Sequence, residues 1–171
     1  MSDTKPINDM AEMPVQHPRS PANDAEARGR YFNSGNAFNI KLPVVPAHMF
    51  RDEPRQAMGK NATGFTLCDL SEQLACPFPA TTPLMLARYG TVLSGDTLDM
   101  TLNTTGSIWY VIEGKGTLTC GDETVALGKA DVVLIPGGVP SALEASEDMV
   151  LWGVGNDPQL AFDGLVPSPE A

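Results

Sequence analysis

Histidine is scarce in this sequence, and the scarcity sets the first limit on its chemistry. Only His17 and His48 occur in 171 residues, so a site that needs several imidazoles is not built from this chain alone. Basic residues are also few. Eleven Lys and Arg stand against 21 Asp and Glu, giving a formal net charge of −10 and a pI near 4.4. Such a field repels polyphosphates and anionic lipid surfaces, which excludes nucleic-acid and membrane-surface roles. No stretch approaches the ~20 consecutive apolar residues of a membrane span. Residues 1–24 are polar and lack the apolar core of a secretory signal. The three cysteines, Cys68, Cys76 and Cys120, are odd in number and lack ligand-like spacing. They read as reduced thiols, and a cytoplasmic location is the expectation. The spacing of Cys68 and Cys76 does not suit a zinc knuckle.

What is present is enough for one core with appendages: apolar residues make up 42% of the chain. Residues 1–30 hold Pro6, Pro14, Pro18 and Pro21 among polar residues and read as a flexible arm. Residues 31–82 are proline-rich yet carry large apolar side chains, among them Tyr31, Phe32, Phe38, Ile40, Leu42, Phe50, Phe65 and Phe78. Proline breaks helix interiors and central strands, so this stretch reads as extended, packing on the chain's own core or on a second subunit. From residue 83 to 156 the rhythm changes. Runs at 84–93, 98–102, 107–113, 116–120, 123–127, 131–136, 141–144 and 149–154 are rich in β-branched, aliphatic and aromatic residues and bounded by turn residues. Gly121-Asp122 has the form of a two-residue hairpin. The fold class expected is all-β, a sandwich or barrel. Residues 157–171 read as a tail with little to pack.

The segment from Gly95 through Thr101-x-Asn103 and Ser107 to Gly114 resembles the first cupin motif, in which a glycine is followed by His-x-His, then Glu, then glycine. The spacing is kept in full, and Tyr110 to Gly116 (YVIEGKG) is typical of that family. Ala130, Pro136-x-Gly138, Ser141 and Ala145 follow the spacing of the second motif, which places a His where Ser141 stands. The resemblance implies a single jelly-roll barrel whose four metal-ligand positions are occupied by Thr101, Asn103, Ser107 and Ser141. Neutral hydroxyls and one amide are poor donors for a divalent transition metal, so no metal is expected in this chain. His17 and His48 lie off the motifs.

Metal-free acid–base chemistry needs a group that titrates near neutrality. By strand alternation Thr101, Asn103, Ser107 and Trp109 face inward, with Tyr110 and Ile112 outward. The inward set contains no acid or base. Asp96, Asp99 and Glu113 fall at strand ends or turns. Trp109 and Arg88 are candidate pocket-lining residues. Trp109 could stack on a planar ligand or fill a vacated pocket. Arg88 could meet an anion, pair with a carboxylate or reach the surface.

The chain is similar to the small, non-metal-binding subunit of two-subunit hydroquinone 1,2-dioxygenases. That resemblance implies a larger catalytic cupin subunit as partner in a hetero-oligomer, with Fe(II) and the catalytic ligands on the partner. The reaction it implies opens hydroquinone with O2 to 4-hydroxymuconic semialdehyde. Two further classes stand beside it: a metal-free homodimeric cupin that binds or senses a small ligand, and a metal-independent sugar isomerase or epimerase.

Overall fold

The structure, a computed structural model, describes residues 20–29 and 44–168. His17, Tyr31, Phe32, Phe38, Ile40 and Leu42, and with them most of the arm expected at 1–30, lie outside the described residues.

The chain folds as an all-β, cupin-type jelly roll. Its strands are β1 (Gly64–Leu67), β2 (Leu86–Val92), β3 (Thr97–Asp99), β4 (Gly106–Cys120), β5 (Glu123–Gly128), β6 (Val132–Pro136) and β7 (Ser141–Gly155). They run in the order β1-β2-β7-β4-β5, with β3 on β7 and β6 on β4. Every pairing is antiparallel. Short helices flank the sheet: α1 (Asp24–Ala27), α2 (Asp52–Met58), α3 (Ser71–Leu74) and α4 (Asp157–Asp163).

Two pairs of expected strands are single long ones. The 107–113 and 116–120 runs form β4, and the 141–144 and 149–154 runs form β7. The Glu113-Gly114-Lys115-Gly116 segment is therefore not a turn. It is a set of register shifts within the β4–β7 ladder, where a strand bends without ending. Gly114 shows why: its φ is +88°, and a Cβ there would collide with the backbone of Asp148 and Met149. Gly121-Asp122 does form the β4–β5 hairpin, with Cys120 paired to Glu123.

Helices appear where proline suggested only extended chain. Pro54 falls in the first turn of α2, and Pro158 is the second residue of α4. The first turn has no intrahelical acceptor for its N–H groups, so proline costs nothing there. Pro158 and Leu160 of α4 are buried, so this part of the C-terminal segment does pack.

Residues directly paired across strands share a face of the sheet. Ser107, Trp109 and Val111 of β4 are buried, while Ile108 and Tyr110 between them are exposed. The interior is filled by Val92, Leu98, Met100, Trp109, Val111, Leu118, Leu127, Ile135, Leu143, Ala145, Met149 and Leu151. A separate small core of Leu70, Leu74 and Ala80, with Phe50 and Cys76 against it, anchors the segment before β2.

Candidate functional site

Of the four motif positions, Thr101 and Ser141 are hydrogen-bonded to each other, Ser107 is bonded to Trp109, and Asn103 is exposed. Thr101 follows β3, outside any strand, because β3 ends at Asp99 and not at Leu102. Its hydroxyl accepts from the Ser141 backbone N–H at 2.9 Å and donates to the Ser141 carbonyl at 3.3 Å. The Ser141 hydroxyl donates to the Val139 carbonyl at 3.0 Å. Thr101 and Ser141 thus bind backbone, and they close the join between β3 and the start of β7. The Asp99 carboxylate, which accepts from the Thr101 N–H at 2.8 Å, is held below its usual range by that bond and by the Thr101 hydroxyl.

Ser107 sits at the other end of the ladder, paired with Gly155, whereas Cys120 pairs with Ser141. It is buried, and its hydroxyl accepts from Trp109 Nε1 at 2.9 Å. Asn103 lies in the bend before β4 and is exposed. Strand alternation therefore places Ser107 and Trp109 inside, but it does not extend to Thr101 and Asn103, which are not on a strand. Thr104 is the buried residue of that bend.

Trp109 is fully buried. Its ring lies against the backbone of Gly153, where any Cβ would overlap the indole. Phe65 approaches with ring centroids 5.8 Å apart. The indole is part of the barrel core in this structure.

Arg88 is 4% exposed. It pairs across the sheet with Gly153, which pairs in turn with Trp109, so Arg88 and Trp109 share the interior face. Its Nη2 lies 2.6 Å from Oδ1 of Asp157, the first residue of α4, and its guanidinium stands 5.8 Å over the Phe65 ring. The contact is close but poorly aligned. Arg88 Nε and Nη2 and Asp157 Oδ2 make no hydrogen bond among the described residues. Sequence reasoning did not identify Asp157, which lay in a segment read as tail. Asn156-Asp157-Pro158 carried the signal, since Asn or Asp before an early proline marks a helix start.

A cleft of about 520 Å³ opens beside the Thr101–Ser141 pair, bordered by Asp99, Thr119, Asp122 and Pro140. His48 is exposed, and its ring meets that of Phe50 in a tilted contact with centroids 4.6 Å apart. Burial, with help from Glu53, pushes the Cys68 thiol up to about 11, far from a reactive thiolate.

These residues do not fit a transition metal. Among the described residues no three of His, Cys, Asp and Glu converge. Three of the four motif positions are hydroxyls, each already bonded to backbone or indole. None brings charge to offset the desolvation of a divalent ion.

Comparison with known proteins agrees on the fold. Residues 89–152 match the family model described as the cupin domain. No curated protein matches the sequence. Among solved structures, the salicylate 1,2-dioxygenase of Pseudaminobacter salicylatoxidans aligns at a TM-score of 0.54 with 17% identity, covering 66% of this chain and 35% of that one. A single-substitution mutant of that enzyme in complex with gentisate aligns at 0.53, also 17% identical, covering 66% and 34%. This chain thus spans about a third of the length of those enzymes. No helix among the described residues is long and apolar enough to cross a membrane.

Proposed function

We propose, for a cupin domain whose four ligand positions carry a threonine, an asparagine and two serines, that the chain is the non-catalytic subunit of an Fe(II)-dependent, ring-cleaving dioxygenase. In this reading the metal and catalytic ligands belong to a larger cupin subunit, and the complex opens hydroquinone to 4-hydroxymuconic semialdehyde. One observation carries the reading. The hydroxyls that replace the family's donors are engaged in holding the barrel together, Thr101 on Ser141 and Ser107 on Trp109. The fold shared with a salicylate 1,2-dioxygenase supports a dioxygenase setting.

The test is co-expression with the large subunit of a two-subunit hydroquinone 1,2-dioxygenase from the same organism. Ring opening is followed by the absorbance of the semialdehyde. Activity should need both chains and track iron bound to the large one. Full turnover by this chain alone would reject the subunit reading. A stable, inactive homodimer holding a small ligand would favour a binding module.

A further inference from the structure

The one charged side chain that is buried among the described residues is also the least satisfied. Arg88 is 4% exposed, and a guanidinium carries five N–H donors in a planar fork suited to a two-pronged carboxylate contact. Its acidic partner, Asp157, comes within 2.6 Å of Nη2 through one oxygen. Arg88 Nε and Nη2 and Asp157 Oδ2 are left without a hydrogen bond among the described residues. A buried charge that is paired but not hydrogen-bonded is a costly arrangement. It is also one in which a better-aligned acceptor displaces the existing one.

The surroundings are aromatic. Arg88 and Trp109 flank Gly153 in the ladder, on the interior face. The Phe65 ring lies 5.8 Å from the guanidinium carbon of Arg88 and 5.8 Å, between centroids, from Trp109. The element at this end of the barrel is α4. It begins two residues after Gly155, the last residue of β7, where a Cβ would meet both Thr104 and the Asp157 carboxylate. Alongside Asp157, α4 buries Pro158 and Leu160. Among the described residues α4 makes no hydrogen bond to any strand, and the Thr105 N–H holds only the preceding Asn156, through Oδ1 at 2.9 Å. A swing of α4 about Asn156 therefore breaks no ladder.

We propose that Arg88 is a binding site for a small aromatic carboxylate and that α4 is the latch that closes it. Asp157 then stands in for the ligand's carboxylate, and Pro158 and Leu160 for its apolar body. The chemistry of the occupant follows from what fills the place now: one carboxylate joined to buried apolar groups, on an interior face that carries two aromatic rings. A free carboxylate meets Nε and Nη2 together, which Asp157 does not. An aromatic body packs against Phe65. The net charge of −10 repels anions from the rest of the molecule, so binding depends on this guanidinium. The latch is closed in this structure, so the apparent affinity of the wild-type chain is lowered by the fraction closed. The assignment goes beyond the subunit reading and does not depend on it.

The experiment titrates benzoate into the full-length chain, with benzyl alcohol as the neutral comparator. Calorimetry reads affinity, and hydrogen exchange reads the amides of α4. Wild type should bind benzoate and not benzyl alcohol, with faster exchange across Asp157–Asp163 in the bound state. Asp157→Asn removes the built-in carboxylate and should bind benzoate about tenfold more tightly or better. If that variant is unfolded when free, benzoate should restore its melting transition. Arg88→Met combined with Asp157→Leu, which removes both charges, should bind neither compound. Benzoate that neither binds Asp157→Asn nor restores its folding would overturn the site and leave Arg88 and Asp157 a purely structural pair. Equal binding of benzyl alcohol, or benzoate binding kept by the double variant, would also overturn it. Binding with exchange in α4 unchanged would contradict the latch. None of these outcomes alters the co-expression test of the subunit reading.

Discussion

Ser107 stands where the first cupin motif carries its carboxylate, and its hydroxyl accepts the N–H of Trp109, two residues along the same strand. Both side chains are buried, so removing the acceptor leaves an indole N–H without a partner. Ser107→Ala should cost roughly 1–3 kcal/mol for that unpaired donor, and Trp109→Ala about 3–5 kcal/mol for the cavity. Urea unfolding measures both. Cys68 makes a separate prediction. Burial, then Glu53, raises its thiol from 9.0 to about 11, so the folded state holds this proton more tightly than the unfolded chain does. The associated stability is complete below pH 9.0 and is lost as pH rises toward 11. Unfolding free energies measured across that window should fall less steeply in Cys68→Ala than in wild type. The spacing that singles out Thr101, Asn103, Ser107 and Ser141 was legible in the sequence. What the replacements do was not. Thr101 bonds to the backbone of Ser141, 40 residues away, a contact that only the fold brings about.

At the scale of elements, α4 is held to the barrel by a buried charge pair. Arg88 of β2 and Asp157 of α4 approach to 2.6 Å with their side chains 5% and 20% exposed. Breaking such a pair from one side leaves the other charge uncompensated, at a cost of about 3–5 kcal/mol, whereas replacing both with apolar groups is often neutral. Arg88→Met should therefore be more destabilising than Arg88→Met combined with Asp157→Leu, a difference that a denaturation cycle reads directly. The errors of sequence reading at this scale share a physical origin. Proline was taken as a bar to helix, yet Pro54 and Pro158 occupy first turns, where no acceptor is lost. Glu113-Gly114-Lys115-Gly116 was taken as a turn between two strands. Gly114 has the positive φ of a turn, but the ladder resumes beyond it with shifted register. Local chemistry fixes the backbone angle and not whether pairing continues.

At the scale of the whole molecule, strand spacing and the two motifs were enough to identify an all-β cupin barrel, and residues 89–152 match that family's model. The outer face was legible only in part. Alternation places Tyr110 outward, but its pairing with Val132 and Trp152, and that of Ile108 with Leu134, depend on register between strands, which no single segment encodes. The account as a whole rests on the barrel's donor set. It is tested most directly by metal analysis of the purified full-length chain after anaerobic incubation with ferrous iron and desalting. The account predicts iron far below one equivalent. Iron retained at one per chain, and lost on substituting Asn103, Ser107 or Ser141, would contradict it.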